Sequence, residues 1–492
     1  MIFWVIFIAV SFTIMALIYI YMTRDRFKTV DSFLTARGTL TTGVAMATVL
    51  ASIMGAWILF SPAEAGTWGG LLAFGGYAVA QALAVMLFAV IGPRLRKIAP
   101  KGSTLTEFVY YRYGIPMYII TLICSVFYMS IFLAAELTGI ALSVNLITDL
   151  PLWLTALLIG VGTLIYTTYG GIRGSIFTDS IQAIIMIPTL LIAFFATVYF
   201  LGGFGDIILR AQEVSPNLLG FGHWGGWEFA ITLLIAVIAA NAFHAGFWSR
   251  VFAAKDDSTV RKSFIIAGLL VIPIMMLAGF FGIMWIMLEE PAMPSAALFE
   301  VVLSATPSWV VGIVITLGIA LVMSSVDTVI NGIANVFTVD LARFKKNLSP
   351  ENLKMYARII TALICLAVIA IASQGYSVLY LFFIADLVCA AALVPLFYGL
   401  YSNRFPGWAA ALSTIIGLFA GATFFPDPTF TRGNLLLSFA VALVIPAVLT
   451  LILSRFGKPI SFDELSKIIG DVPNVDELKK NTEKQSEIKI KK

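Results

Sequence analysis

Long apolar runs recur along this sequence and leave few folds open to it. A helix satisfies its own backbone N–H and C=O groups, so about 20 consecutive apolar residues can cross the hydrocarbon layer of a bilayer. Thirteen such segments are read, at about 3–22, 39–67, 70–92, 115–146, 152–168, 175–202, 226–247, 264–288, 308–337, 355–373, 376–400, 407–425 and 434–454. Only 12% of residues are charged and 60% are hydrophobic, whereas soluble domains carry roughly 25% charged residues. The sequence predicts an all-α membrane protein with about 13 transmembrane helices, a transporter-sized transmembrane domain over 1–458 and a tail over 459–492. The opening MIFWVIFIAV lacks a basic leader and a small-residue cleavage site, and reads as a first span.

Basic residues set the expected orientation. With 13 alternating spans, 29 of the 31 Lys and Arg residues fall on one side, and only Arg210 and Arg432 on the other. The positive-inside rule then puts the N-terminus outside and the tail in the cytoplasm of a cell (inner) membrane. The tail reads as a solvated, lysine-rich segment, with a short helix around Phe462 to Ile469 as the alternative.

Several function classes are disfavoured. Cys124, Cys365 and Cys389 all lie in apolar stretches, and the two histidines, His223 and His244, form no HExxH. No nucleophile–base or metal constellation is visible, so an enzyme is not expected. The expected partners are the lipid bilayer and a small-molecule substrate, with no nucleic acid. The sequence sets no oligomeric state.

Two spans carry helix-breaking residues in their middles. Span 2 reads TVLASIMGAWILFSPAEAG, with Ser52, Gly55, Ser61 and Pro62, and span 7 reads ANAFHAGFWSR, with Asn241, His244 and Gly246. Irregular backbone at membrane depth is tolerated where it faces protein or a watery cavity. Broken helices in corresponding positions of two halves mark secondary-transporter sites. Spans 2–6 and 7–11 start from opposite sides, which predicts a five-plus-five inverted repeat, with core repeats at about 39–203 and 226–400.

Two stretches are more specific. Span 5 leads into TTYGGIRGSIFTDSIQA at 167–183, and span 9 carries LVMSSVDTVINGIANVFTVDL at 321–341. With ASIMGAW at 51–57, STLTEFVYYRYG at 103–114 and FWSRVFAAKD at 247–256, the chain resembles the sodium:solute symporter family from its first span to span 11. The resemblance implies the leucine-transporter-type inverted-repeat fold and sodium-coupled symport of a solute by alternating access. ILFSPAEAGTWGG and the FWSR loop resemble the urea and polyamine branch more than the sugar branch.

A sodium ion takes about five or six oxygens, and hydroxyls and free carbonyls supply them with little desolvated charge. On a helix Ser324 and Ser325 are adjacent, and Thr328 lies one turn on from both. Read from the residues alone, this polar stripe equally suits serines bonded back to the preceding turn. The family resemblance implies a sodium site made by the carbonyls of Ala51, Met54 and Leu321 and the hydroxyls of Ser324 and Ser325. Relatives usually have a smaller residue at the position of Leu321. In some members an aspartate matching Asp179 joins a second cation site, here with Asp327 and Thr328. An aspartate at 327 departs from the usual hydroxyl and leaves a second cation or a proton open. An acidic group inside a membrane is in any case a functional hypothesis by default.

The substrate cavity is expected between spans 2, 3, 7 and 11, with Gln81, Glu136, His244, Phe247, Phe382 and Asp386 as candidate substrate-binding residues. Glu136 and Asp386, in apolar helices with no sequence-adjacent cation, would share a proton if paired, or favour a cationic or amide-bearing solute if they face a cavity. The resemblance implies a urea-like, amine or amino-acid-like solute rather than a sugar, because Phe382 stands where sugar-transporting relatives use a polar residue. FLAAEL also lacks the span-4 arginine with which some relatives bind carboxylates. A proton-coupled transporter of the same fold is the alternative, and a membrane solute sensor a remote one.

Overall fold

The computed structural model describes residues 2–23, 36–100, 102, 104–288, 291–344, 350–428 and 430–471. Arg24, Arg26, Lys28, Lys101, Lys345, Lys346 and the lysines beyond 471, all counted in the orientation argument, lie outside the described residues, as do the side chains of Arg173, Arg343 and Lys354.

The described chain is helical, in the order α1 Ile2–Thr23, α2 Thr42–Ile53, α3 Trp57–Ile98, α4 Leu105–Tyr113, α5 Ile115–Thr148, α6 Leu152–Phe200, α7 Phe204–Val214, α8 Trp224–Ala242 and α9 Ala245–Ala253. There follow α10 Asp257–Trp285, α11 Ala297–Ala305, α12 Ser308–Phe344, α13 Pro350–Ala372, α14 Val378–Tyr398, α15 Gly407–Ala422, α16 Leu435–Leu453 and α17 Phe462–Asp471.

Nine helices among the described residues are long and apolar enough to cross a membrane, fewer than the 13 expected. The shortfall has local causes. Span 2 is divided into α2 and the start of α3 by an interruption at Met54–Ala56, so α2 has only 12 residues. Other apolar helices, such as Leu152–Thr167 and Gly407–Ala422, are likewise too short to count. Two elements hold more than one expected span. α3 contains a kink at Gly70 (φ 61°, ψ −153°), where a side chain would collide with the Leu218 backbone, so only glycine fits. α6 runs for 49 residues, about 73 Å at 1.5 Å per residue, with separate apolar stretches at Leu152–Thr167 and Ser175–Phe200.

Packing places the broken helices at the centre. α3 lies between α10 and α8, while α12 packs on α6 and α5. Large apolar side chains remain exposed on the periphery, among them Val90, Ile184 and Leu363. In water such a surface would be costly, and in a bilayer it is solvated.

At the end of the bundle that carries most basic residues, the chain before α2 meets the end of α9. Leu40 N–H donates to Ala253 O and Lys255 N–H donates to Leu40 O, both at 3.0 Å, and Gly38 N–H donates to Phe252 O at 3.4 Å. Arg96 fastens the same corner, donating to the Val251 and Ala254 carbonyls at 2.7 Å and pairing with Asp257 at 3.2 Å. Asp256 caps α10 by accepting from Thr259 N–H at 2.7 Å, which holds its carboxyl below the usual range. Within the tail Phe462–Asp471 forms the short helix α17, the alternative reading for that stretch, while residues 472–492 lie outside the described residues. Leu465 and Ile469, four residues apart, are both buried, and Arg94 stacks over Phe462 at 4.9 Å.

Candidate functional site

The two interruptions are built alike. α2 stops at Ile53, and Met54 leaves helical geometry at φ −77°, ψ 86°. The Trp57 indole N–H then reaches back to Ile53 O at 3.0 Å. Between α8 and α9, Phe243 and His244 form the break, and the Trp248 indole N–H reaches back to Ala242 O at 2.8 Å. In each case an indole takes up a carbonyl that the helix has released.

Glu136 of α5 is fixed at the first break. The Ala56 N–H, first donor of α3, gives a hydrogen bond to Glu136 Oε2 at 2.7 Å, and Ser325 Oγ donates to the same oxygen at 2.7 Å. A carboxylate at a helix N-terminus is favoured by the exposed N–H groups there. Gly55 permits this approach, since a methyl group at that position would collide with the Glu136 carboxylate.

Beside this break four of the five candidate sodium ligands meet in two pairs. Ser324 Oγ lies 3.2 Å from Ala51 O, and Ser325 Oγ lies 3.1 Å from Leu321 O. Met54, at the break itself, is 1% exposed, and both serines are fully buried. Ser325 also bonds back to Val322 O at 3.1 Å, the structural role that its sequence equally allowed. The donor set is entirely oxygen and joins α2 to α12, which suits a hard monovalent cation.

Next to it lies a buried acidic network. Asp179 accepts from Ser324 at 2.6 Å, Thr48 at 2.7 Å and Arg250 Nη2 at 3.0 Å. Arg250, expected in an inner loop, is instead 1% exposed and also reaches Thr328 Oγ1 at 3.0 Å and Ser175 Oγ at 3.1 Å. Asp327 accepts from Ser175 at 2.6 Å, Thr178 at 2.9 Å and the Tyr166 hydroxyl at 3.0 Å. The network thus holds two carboxylates against one guanidinium.

The cavity is a separate space beside the break. Ser52, Ile53 and Trp57 line it, with Tyr77 and Gln81 of α3 and Asn241 of α8. Tyr128, Phe132, Phe247, Phe382 and Asp386 complete it. Gln81 and Asn241 exchange amide hydrogen bonds at 3.4 Å, linking α3 to α8. Asp386 is 4% exposed, and its Oδ1 has no hydrogen-bond partner among the described residues.

Four of the six candidate substrate residues, Gln81, Phe247, Phe382 and Asp386, therefore line this cavity. Glu136 does not, being held at the break, and it is not hydrogen-bonded to Asp386. His244 is fully buried behind the wall, stacked on Phe247 at 4.4 Å and edge-on to Phe132 at 5.3 Å. Sequence reasoning missed Trp57, Tyr77, Tyr128 and Arg250. An aromatic in an apolar span reads as packing, and an arginine near a span end reads as a loop residue. For Arg250 the available signal was the small-residue break four to six residues upstream, which lowers the end of the span into the bundle.

Comparison with known proteins agrees with this architecture. The model of the sodium:solute symporter family matches residues 33–417. The chain is 28% identical over 429 residues to the spermidine transporter of Candida albicans, covering 84% of this chain and 79% of that protein. It is 25% identical over 507 residues to the urea active transporter of Saccharomyces cerevisiae, covering 91% and 67%. A sodium-coupled sialic acid symporter, solved substrate-bound and outward-open, superposes with a TM-score of 0.75 at 17% identity, over 93% of this chain and 99% of that one. At that identity the likeness is one of fold.

Proposed function

The chain belongs to the sodium:solute symporter family, and on that premise we propose that it carries a small polar organic solute across a cell membrane by sodium-driven symport. The solute is urea-like, an amine or amino-acid-like rather than a sugar. It occupies the cavity between α3, α5, α8 and α14, and sodium occupies the oxygen cluster of Ala51, Met54, Leu321, Ser324 and Ser325.

The observation that carries this reading is the position of that cluster. Its oxygens come from α2 beside the broken segment and from the continuous helix α12. A cation held there links two elements that alternating access must move relative to each other. Its binding energy favours the arrangement in which both sets of ligands are in reach. Ser52 and Ile53 of α2 also line the cavity, so that arrangement fixes one wall of the solute site. The relatives named for spermidine and urea, and the apolar Phe382 at the cavity wall, support a nitrogenous solute over a sugar.

In this reading the chain crosses the inner membrane 13 times with its N-terminus outside. The repeats at about 39–203 and 226–400 are inverted copies. The matching tryptophan closures at the two breaks support that symmetry.

Uptake into proteoliposomes at fixed pH, with sodium replaced by lithium, potassium or choline, tests the coupling. Sodium-dependent accumulation is expected, and equal uptake in choline would overturn it. The excess carboxylate in the Asp179–Asp327–Arg250 network favours one second reading, proton coupling, with Asp327 as the proton carrier. Accumulation driven by an inward proton gradient without sodium would select it.

A further inference from the structure

We infer that Glu136 supplies the negative charge of the sodium site, and that through it the bound ion acts on the start of α3 and the cavity wall. The inference rests on the proposed sodium site and adds to it a residue of α5.

Ser325 carries one hydroxyl proton, yet three acceptor oxygens surround it. Glu136 Oε2 lies at 2.7 Å, and the Leu321 and Val322 carbonyl oxygens lie at 3.1 Å. Ser324 is placed likewise, with one proton between Asp179 Oδ1 at 2.6 Å and Ala51 O at 3.2 Å. The Ala51 carbonyl has also lost its helical donor, because Gly55 N–H turns to Ile53 O at 3.0 Å. A hydroxyl donates a single hydrogen. Lone pairs therefore exceed protons at both serines, and a cation meets the surplus. In each case the shortest contact is to the carboxylate. A serine that gives its proton there keeps its own lone pairs for an ion shared with the carbonyls, as a group behind a metal ligand orients that ligand.

The charge of Glu136 has no other use. The side chain is fully buried, its Oε1 has no hydrogen-bond partner, and it forms no ion pair among the described residues. The neighbouring carboxylates differ. Asp179 has Arg250 at 3.0 Å, and Asp327 accepts from three hydroxyls. Glu64, partly buried on α3, has both oxygens within 3.2 Å of Ser377 Oγ, the cap of α14. Asp386 Oδ1 also lacks a partner, but it belongs to the cavity. A carboxylate taken out of water needs a cation or a proton beside it. An ion held by Ser325 Oγ at about 2.4 Å lies within about 5 Å of Glu136, close enough to favour its ionised form. The same carboxylate grips Ala56 N–H at 2.7 Å, and Trp57, the next residue, lines the cavity. Ion site and solute site thus share one side chain.

The test is thermal stabilisation of the purified full-length protein by sodium chloride, against choline chloride at equal ionic strength and pH. The wild type is expected to be stabilised by sodium. Glu136→Gln keeps an oxygen for Ala56 N–H but loses the charge, and should raise the half-saturating sodium concentration at least about ten-fold. Glu136→Asp should fall between the two. Glu64→Gln, which removes a carboxylate outside the site, should bind sodium as the wild type does. A purely capping role for Glu136 predicts a lower melting temperature in choline with unchanged sodium affinity, and that result overturns the inference. If Glu136→Gln does not fold, the wild type decides. A hydrophobic carbodiimide modifies buried protonated carboxyls, and sodium but not choline should protect Glu136 from it, read by mass spectrometry. Equal labelling in the two salts overturns the inference. Absence of any sodium stabilisation in the wild type overturns the sodium site itself, and the role of Glu136 with it.

Discussion

Arg250 Nη2 lies 3.0 Å from Asp179 Oδ2, and the two side chains are only 1% and 0% exposed. Breaking such a buried pair leaves an uncompensated charge and typically costs about 3–5 kcal/mol. Asp179→Asn and Arg250→Gln are each expected to lower the melting temperature and to reduce uptake. The double variant should lose less stability than the sum of the two. Asp179→Glu should be milder than Asp179→Asn. Melting curves of the wild type and these four variants check this, and full additivity would show that the pair is not coupled.

Ser324→Ala and Ser325→Ala each remove one hydroxyl oxygen from the candidate sodium site. A hydrogen bond to a charged group is worth about 1.5–3 kcal/mol, so each change should raise the sodium concentration for half-maximal uptake by roughly ten- to a hundred-fold. Ser325→Ala also strips a donor from Glu136 Oε2. Wild-type sodium dependence in both variants would remove this site from consideration.

Gly55→Ala should be damaging where Gly43→Ala is harmless. A methyl group at Gly55 collides with the Glu136 carboxylate, whereas nothing lies within 4 Å of one at Gly43. Gly43 sits inside α2, where alanine is the better helix former by about 1 kcal/mol. Parallel measurement of melting temperature and uptake for the two variants separates the close approach from a general intolerance of substitution.

The bias of basic residues predicts a definite topology. Tags at the N-terminus and near Pro428 should be reached by an impermeant reagent in intact cells. Tags near Lys345 and Lys492 should be reached only after permeabilisation. Labelling at Lys345 in intact cells would reverse the orientation.

Much of the fold was legible because lipid imposes one rule, internal satisfaction of the backbone, and the apolar segments obey it. The break at Met54–Ala56 was visible in Gly55 and the flanking small residues, and the break at His244 in ANAFHAG. What local sequence did not carry was long-range pairing. Glu136 reads as a lone acid in an apolar helix, and its partners, Ala56 and Ser325, are 80 and 189 residues away. Arg250 reads as a loop residue because its neighbour Lys255 is one. Its burial follows from Thr48, Ser175, Asp179 and Thr328, which three other helices bring to it. Glu64 was hidden for the opposite reason. It follows SPA in a stretch dominated by the break, and only the end of α14 reveals its setting.

The short backbone ladder between residues 38–40 and 252–255 works as a latch. It joins the free ends of α2 and α9, the two half-helices that begin or finish at the breaks. Three hydrogen bonds at a net 0.5–1.5 kcal/mol each hold it shut by roughly 1.5–4.5 kcal/mol. Any path that swings one of these half-helices away from the other must first give up that much. A path that keeps the latch closed must swing them together, as a single rigid lever, and the two halves of the molecule are geared to each other at that corner.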